Sequence, residues 1–340
     1  MKTQIKLLAL LLICFSYSCS KDDDASDKEE SVTDVYAVGY ESDGTKNIAK
    51  TWKNGVATSL TNGANDANAA SVHVVGEDVY VAGNENNVAV IWKNGIKTPL
   101  TDGSRPVFVF SVFVSGSDVY AAGMEVFPLS NGERYTARLW KNGVGITLNE
   151  NKEHAWATSV YVHGNDVYVA GYEADPTTKK FVAKIWKNGM ATALTNNLSG
   201  STASAVFVSG TDVYVAGSDF IKGKSVAFIW KNGVATQLSN GTTDATATSV
   251  FVSNNNVYVA GSVNDPNQNR IPTLWKNNFP TKSFTKGIDP NANSVFVMDN
   301  DVYIGGSETK VATIWKNEQA IKLTDGTYKA QVNSVFVTKK

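Results

Sequence analysis

Short apolar runs, each four to six residues long, recur along the chain in a fixed order from residue 34 onward. In one copy, Ser71-Val72-His73-Val74 precedes Val79-Tyr80-Val81-Ala82-Gly83. Ala89-Val90-Ile91-Trp92-Lys93 comes next, and then Ile96 to Thr101. Their β-branched and aromatic content fits strands and not helices. We label the four pieces A, B, C and D. B and C are apolar at most positions instead of alternating, which is the pattern of a sheet covered on both faces. Asn-Gly between C and D demands positive φ at two successive residues and predicts a type I′ hairpin. Ser-Gly-x-Asp turns A into B, and the Asp is expected to serve that turn as a local side-chain acceptor.

The unit is written seven times, around Trp52, Trp92, Trp140, Trp186, Trp230, Trp275 and Trp315. Steps of 40, 48, 46, 44, 45 and 40 residues separate these Trp. Four-stranded antiparallel units at that period predict an all-β chain, a seven-bladed β-propeller. The first unit begins at strand B, Asp34-Val35-Tyr36. The chain ends with a spare strand A, Ser334-Val335-Phe336-Val337. The C-terminal strand is therefore expected to complete the N-terminal blade and close the ring. The B-then-Trp pattern loosely resembles kelch repeats. It departs from them in having the double Gly only at Gly305-Gly306, so no kelch function is carried over. Two units break the rule. Pro272 replaces Ala within strand C, predicting a distorted strand at 271–275. Glu318 takes the Gly position of the last hairpin, predicting a rebuilt turn at 317–319.

Charge and the N-terminus change the picture in turn. Lys and Arg number 31 against 32 Asp and Glu, so the dense basic surface that nucleic-acid binding requires is absent. Lys2 and Lys6 precede a nine-residue apolar run, Leu7 to Phe15, too short to span a bilayer. The two Cys, Cys14 and Cys19, both lie in this region, so a disulfide or Cys-ligated metal in the propeller is excluded. Ser16-Tyr17-Ser18-Cys19, followed by Ser20-Lys21-Asp22-Asp23-Asp24, resembles the export tag of Bacteroidota-type surface lipoproteins. That resemblance implies cleavage before Cys19, lipidation of Cys19 and an outer-membrane destination at the cell surface. Ser16 stands where Leu is commoner in such signals, and an ordinary cleaved secretory signal is the other reading. The expected organisation is a signal peptide at 1–18, a lipidated Cys and acidic tether at 19–31, and the propeller at 32–340. The tether carries almost no apolar side chains and cannot order itself by burial. We expect a monomer without cofactors.

In an A-B-C-D meander the A–B and C–D hairpins share one end, and their sequences barely vary. The B–C loops, which include the long Met124–Thr136, and the D-to-A crossovers share the other end and vary widely. Variable loops on a fixed scaffold carry recognition. Candidate ligand-binding residues on that face are Trp156, Phe108, Phe110, Arg134, Tyr135, Tyr172, Phe220 and Tyr328. Trp156 is the one Trp of eight outside the repeat frame, and exposed rings stack on sugars or anchor partner side chains. The competing role for these rings is packing. Phe108 and Phe110, just before strand A, are expected to plug the axis.

His73 takes a position filled elsewhere by Phe or Tyr and is expected to be a packed ring. His154 and His163 fall at opposite ends of one strand and cannot share a metal ion. No spacing selects a catalytic set, and the positions before strand A (Ala70, Phe110, Thr158, Ser204, Thr248, Asn293, Asn333) include no ionisable residue. The leading reading is a surface-anchored module binding a protein or glycan through the loop face. A carbohydrate-active hydrolase or lyase, and a structural or adhesive coat component, are the alternatives.

Overall fold

Every unit folds as the apolar runs dictate, into four antiparallel strands. The computed structural model describes residues 33–340 apart from 131, 150–152, 197–198 and 282–289. The signal, the tether and Cys19 lie outside the described residues. Thr33–Lys340 forms one compact unit of seven four-stranded sheets, a seven-bladed β-propeller with no helix among the described residues. The second blade shows the order: β4 (Ala67–Val75), β5 (Asp78–Glu85), β6 (Val88–Lys93) and β7 (Ile96–Pro99). The first blade runs β28 (Ala330–Lys339), β1 (Thr33–Ser42), β2 (Asn47–Lys53), β3 (Val56–Ser59). The last strand of the chain thus pairs with the first, Val35 opposite Val337, and closes the ring as expected.

Strands A lie innermost and meet one another around the axis, while the strands D are exposed along all or nearly all of their length. The core is distributed over the seven junctions between blades, each holding one repeat Trp against the preceding blade. At one junction Trp186 packs on Tyr120, Ala137 and Leu139. The closing junction is built the same way, with Trp52 of the first blade against Tyr303 and Ile314 of the seventh. All seven Trp are at most 3% exposed. Burying one such ring removes roughly 200 Å² from water, on the order of 5 kcal/mol.

A bulge recurs at the same place in all seven inner strands, where pairing with strand B skips Ala70, Phe110, Thr158, Ser204, Thr248, Asn293 and Asn333. The bulge brings a backbone carbonyl of strand A against the Gly of strand B. A Cβ at Gly83 would lie 2.0 Å from the Asn68 oxygen, and at Gly217 2.0 Å from that of Thr202. Only Gly fits, which is why each B strand writes Gly there. After the bulge comes a Ser whose Oγ accepts from the next blade's Val N–H, as in Val112 to Ser71 at 3.1 Å and Val206 to Ser159 at 3.2 Å. Six of the seven junctions have this bond. In the fifth blade Ala205 stands in the Ser position.

Two expectations of irregularity fail. β22 (Arg270–Lys276) is continuous and pairs in register with β21 (Asn256–Asn264), Pro272 lying opposite Ser262. The equivalent N–H in other blades points away from strand B. It is taken by a loop side chain, as in Ala49 to Thr61 Oγ1 and Ala183 to Thr195 Oγ1. Pro272 therefore removes a donor that the B–C ladder never uses. Nor is the last hairpin rebuilt: Asn317 and Glu318 have φ of 48° and 71°, a regular I′ geometry with Lys316 opposite Gln319. The fixed register on either side holds Glu318 in the left-handed region despite its side chain.

Candidate functional site

The hairpin face is a repeated clamp. Asn54 accepts from the Val35 N–H through Oδ1 and donates to Asp34 Oδ1, both at 2.8 Å, while Lys53 pairs with Asp34 at 2.9 Å. Lys53 also lies 5.1 Å from the centre of the Tyr36 ring. The same Asp–Lys–Asn–Tyr set recurs around Asp78, Asp118, Asp166, Asp212 and Asp301. Asn54 first, and Lys53 after it, hold the Asp34 carboxyl down to about 2. Lys is the larger cause of the lowering in the other five. The Asp therefore does more than serve its own A–B turn: it fastens the neighbouring C–D hairpin. This explains the invariance of Lys-Asn without any ligand.

A ring of rings lines the axis. His73, Phe113, Tyr161, Phe207, Phe251, Phe296 and Phe336 each touch the next, with centroids 4.4 to 5.0 Å apart. His73 is a packed ring within it, as expected, and burial lowers its pKa to about 4. This ring is built from strand A itself. Phe110 is the half-buried bulge residue of β8 (Val107–Ser115) and Phe108 pairs with Met124 beyond it, so neither belongs to this ring.

On the loop face the long segment between the second and third strands of the third blade proves to be a hairpin. β9 runs Asp118–Leu129 and pairs with β10, Gly132–Lys141, with Arg134 opposite Phe127 and Tyr135 opposite Val126. Ordered strands, not a loop, therefore present Arg134 and Tyr135. Tyr135 packs 5.0 Å from Trp156 of β12 (Ala155–His163) and 5.1 Å from His154, while its N–H donates to His154 Nδ1 at 3.3 Å. Trp156 stacks on its cross-strand neighbour Tyr172 at 4.9 Å and meets the edge of Phe181 at 5.2 Å. Burial pushes the Tyr172 hydroxyl up to about 12.

These rings wall a cleft of about 480 Å³, lined by Asn87, Pro106, Phe108, Met124, Val126, Glu133, Tyr135 and Trp156. Trp156 is half-buried there. The indole N–H groups of Trp52, Trp92, Trp186 and Trp230 are sealed from solvent without partners. Tyr135 donates its hydroxyl to Glu133 at 3.2 Å. At the rim Arg105 and Arg134 lie over Phe127 at 4.4 and 5.2 Å, and Arg105 pairs with Glu125 at 3.0 Å. The sequence pointed to none of Phe181, Met124 and Asn87, and it weighed His154 only as a metal ligand. Phe181 and Asn87 sit at strand ends, where the repeat frame gives no sign of direction.

Of the eight candidates, Phe108, Tyr135, Trp156 and Tyr172 come together, with Arg134 on the adjoining hairpin. Phe220, 48% exposed, belongs to the fifth-blade hairpin of β17 (Asp212–Ile221) and β18 (Lys224–Lys231). Tyr328, 47% exposed, packs beside Gly44 at the seam of the first and last blades. The structure does not bring these two to the cleft. Among the described residues no group of three or more His, Cys, Asp or Glu is placed to hold a metal ion, and no helix is long and apolar enough to cross a membrane.

No family model matches the chain, and no curated protein matches it. Solved structures do resemble it. An acylaminoacyl peptidase from Pyrococcus horikoshii aligns with a TM-score of 0.53 at 15% identity, over 86% of this chain and 51% of its own. A prolyl endopeptidase aligns at 0.50 and 13% identity, over 90% and 50%. TolB from Acinetobacter baumannii aligns at 0.46 and 10%, over 74% and 64%. Likeness at such identities shows the fold alone. This chain spans about half the length of the two peptidases.

Proposed function

We propose that the chain is a lipid-anchored, outer-membrane surface protein whose propeller binds a glycan or a protein segment in the cleft around Trp156. One observation carries this reading: residues that owe nothing to the repeat frame converge there. Phe108, Tyr135 and Trp156 supply apolar walls, Asn87 and Glu133 supply polar groups, and the volume lies within the range of small-ligand sites. The aromatic rows of Tyr135, Trp156 and Tyr172 fix the walls before any ligand arrives, and preorganisation lowers the cost of binding. The export signal and Cys19 would place the module outside the cell.

The hydrolase or lyase reading has less support. Acid–base cleavage of a glycoside pairs two carboxyl groups. The cleft lining has one, Glu133, and the nearby Glu125 is engaged by Arg105 and Arg138.

The test is a glycan array and a surface-protein pull-down with the propeller, residues 32–340, beside Trp156→Ala and Phe220→Ala. We expect a specific hit weakened at least tenfold by Trp156→Ala and unchanged by Phe220→Ala. Equal binding by all three proteins would remove the cleft from consideration. Blank screens would favour the coat reading.

A further inference from the structure

The hairpin face carries a feature that its clamps do not explain. Val56, Ile96, Val144, Met190, Val234 and Phe279 all stand at one position, the first residue of strand D after the I′ turn. Each is 69 to 75% exposed, and no other large apolar side chain among the described residues exceeds 53%. The seventh position is Gln319. No fold requirement places them there, since strand D is exposed along nearly all its length, and in the first, fourth and fifth blades the residues beside them are small or polar: Ala57, Ala191 and Ala235, then Thr58, Thr192 and Thr236. Six apolar side chains thus stud the rim at one end of the disc, each opposite a Lys of strand C: Lys53 opposite Val56, Lys187 opposite Met190.

We propose that this rim is a lipid-facing surface. Its six apolar side chains enter the interfacial layer of the bilayer that anchors the chain, so the loop face with its cleft points away from the membrane. Two facts select a bilayer as the occupant. First, the chain enters the propeller on this face: β1 starts at Thr33, opposite Lys339, and Asp34 already belongs to the clamp. Residues 19–32, 14 in number, span at most about 50 Å when extended. An anchor at Cys19 would therefore hold this face at high local concentration beside lipid, where even weak apolar contacts act. Second, the composition is interfacial, with apolar tips beside a ring of half-exposed Lys. Lys53, Lys141 and Lys231 have side chains 50 to 53% exposed. The proposal rests on the anchor reading above but not on the cleft.

The experiment uses the full chain reconstituted into phosphatidylethanolamine–phosphatidylglycerol vesicles. The propeller has no Cys of its own, so Met190→Cys and Val234→Cys report from the rim and Phe220→Cys from the loop face, each carrying an environment-sensitive fluorophore. We expect blue-shifted emission, quenched by spin-labelled lipid, at 190 and 234 but not at 220. Silent rim probes on vesicle-bound protein, or an equal response at 220, overturn the proposal. A rim response that needs protein concentration and no lipid also overturns it, by naming a second copy as the occupant. Cys19→Ala separates the two readings. If that variant stays on membranes as tightly as the wild type, the lipid anchor is wrong, whereas silent rim probes on an anchored chain refute the rim alone.

Discussion

At the residue scale, the structure assigns a physical cause to positions the repeat merely counts. The Gly of strand B is fixed by contact and not by backbone freedom. A Cβ at Gly217 would stand 2.0 Å from the Thr202 oxygen. We expect Gly217→Ala to destabilise by about 2 kcal/mol or more, because the carbonyl it meets is held in the bulge. At Gly233, where φ is 80° and nothing lies within 4 Å, Ala should cost about 1 kcal/mol of backbone strain alone. Urea midpoints of both variants check the ordering. His73 supplies a pH dependence. Its folded pKa of about 4 lies below the ordinary 6.5, so between those values the unfolded chain binds a proton that the folded chain refuses. Stability falls as pH drops from 6.5 through 4, by on the order of 3 kcal/mol, and this group adds no further change below 4. His73→Phe should therefore gain more over wild type at pH 4 than at pH 7, as measured by urea unfolding at both. An equal difference at the two pH values would contradict a neutral buried imidazole.

At the element scale, the hairpins show what a sequence can and cannot disclose. Asn-Gly predicts the I′ turn because the chemistry is local, and φ of 51° and 83° at Asn54 and Gly55 meet the requirement. Glu318 and Pro272 mislead for the same reason: local propensity says nothing about the register imposed by neighbours or the direction of one N–H. The Trp156 cluster was legible as a single odd Trp. Its partners Phe181 and His154 were not, since only the pairing of β12 with β13 (Asp166–Ala174) and the approach of β10 bring them together. The bulge and the Ser bridges were invisible, because both depend on a second blade. Those bridges yield a prediction at this scale. Ala205 brings no acceptor toward Val250, whereas six other junctions have Ser Oγ within 3.1 to 3.3 Å of the equivalent N–H. Ala205→Ser should complete the set and stabilise by about 1 kcal/mol, read as a raised urea midpoint. An unchanged or lowered midpoint would mean that the inner strands of the fifth and sixth blades meet differently.

At the scale of the whole molecule, stability depends on closure. Each blade alone would expose the faces that the seven Trp-bearing junctions bury, and the junction of blades seven and one is shared by both ends of the chain. β28 contributes Ala330, Val332, Val335 and Val337 to that junction, all at most 3% exposed. Its Ser334 and Asn333 reach across to the second blade, Oγ accepting from Val72 at 3.3 Å and Nδ2 donating to the Ala69 oxygen at 2.8 Å. Removing residues 330–340 would therefore strip the inner strand from one blade, take one ring from the seven on the axis and uncover the core on both sides of β1. In an open solenoid the same deletion would fray one end and leave the other repeats nearly as stable. In a closed ring the loss is felt by the first, second and seventh blades together. The truncated chain should unfold at clearly lower urea with a broadened transition and should bind hydrophobic dyes before unfolding. A separate peptide spanning 328–340 should restore the midpoint by supplying the missing strand. A truncated chain with the parent's sharp transition would show that closure contributes little and that each blade stands on its immediate neighbours alone.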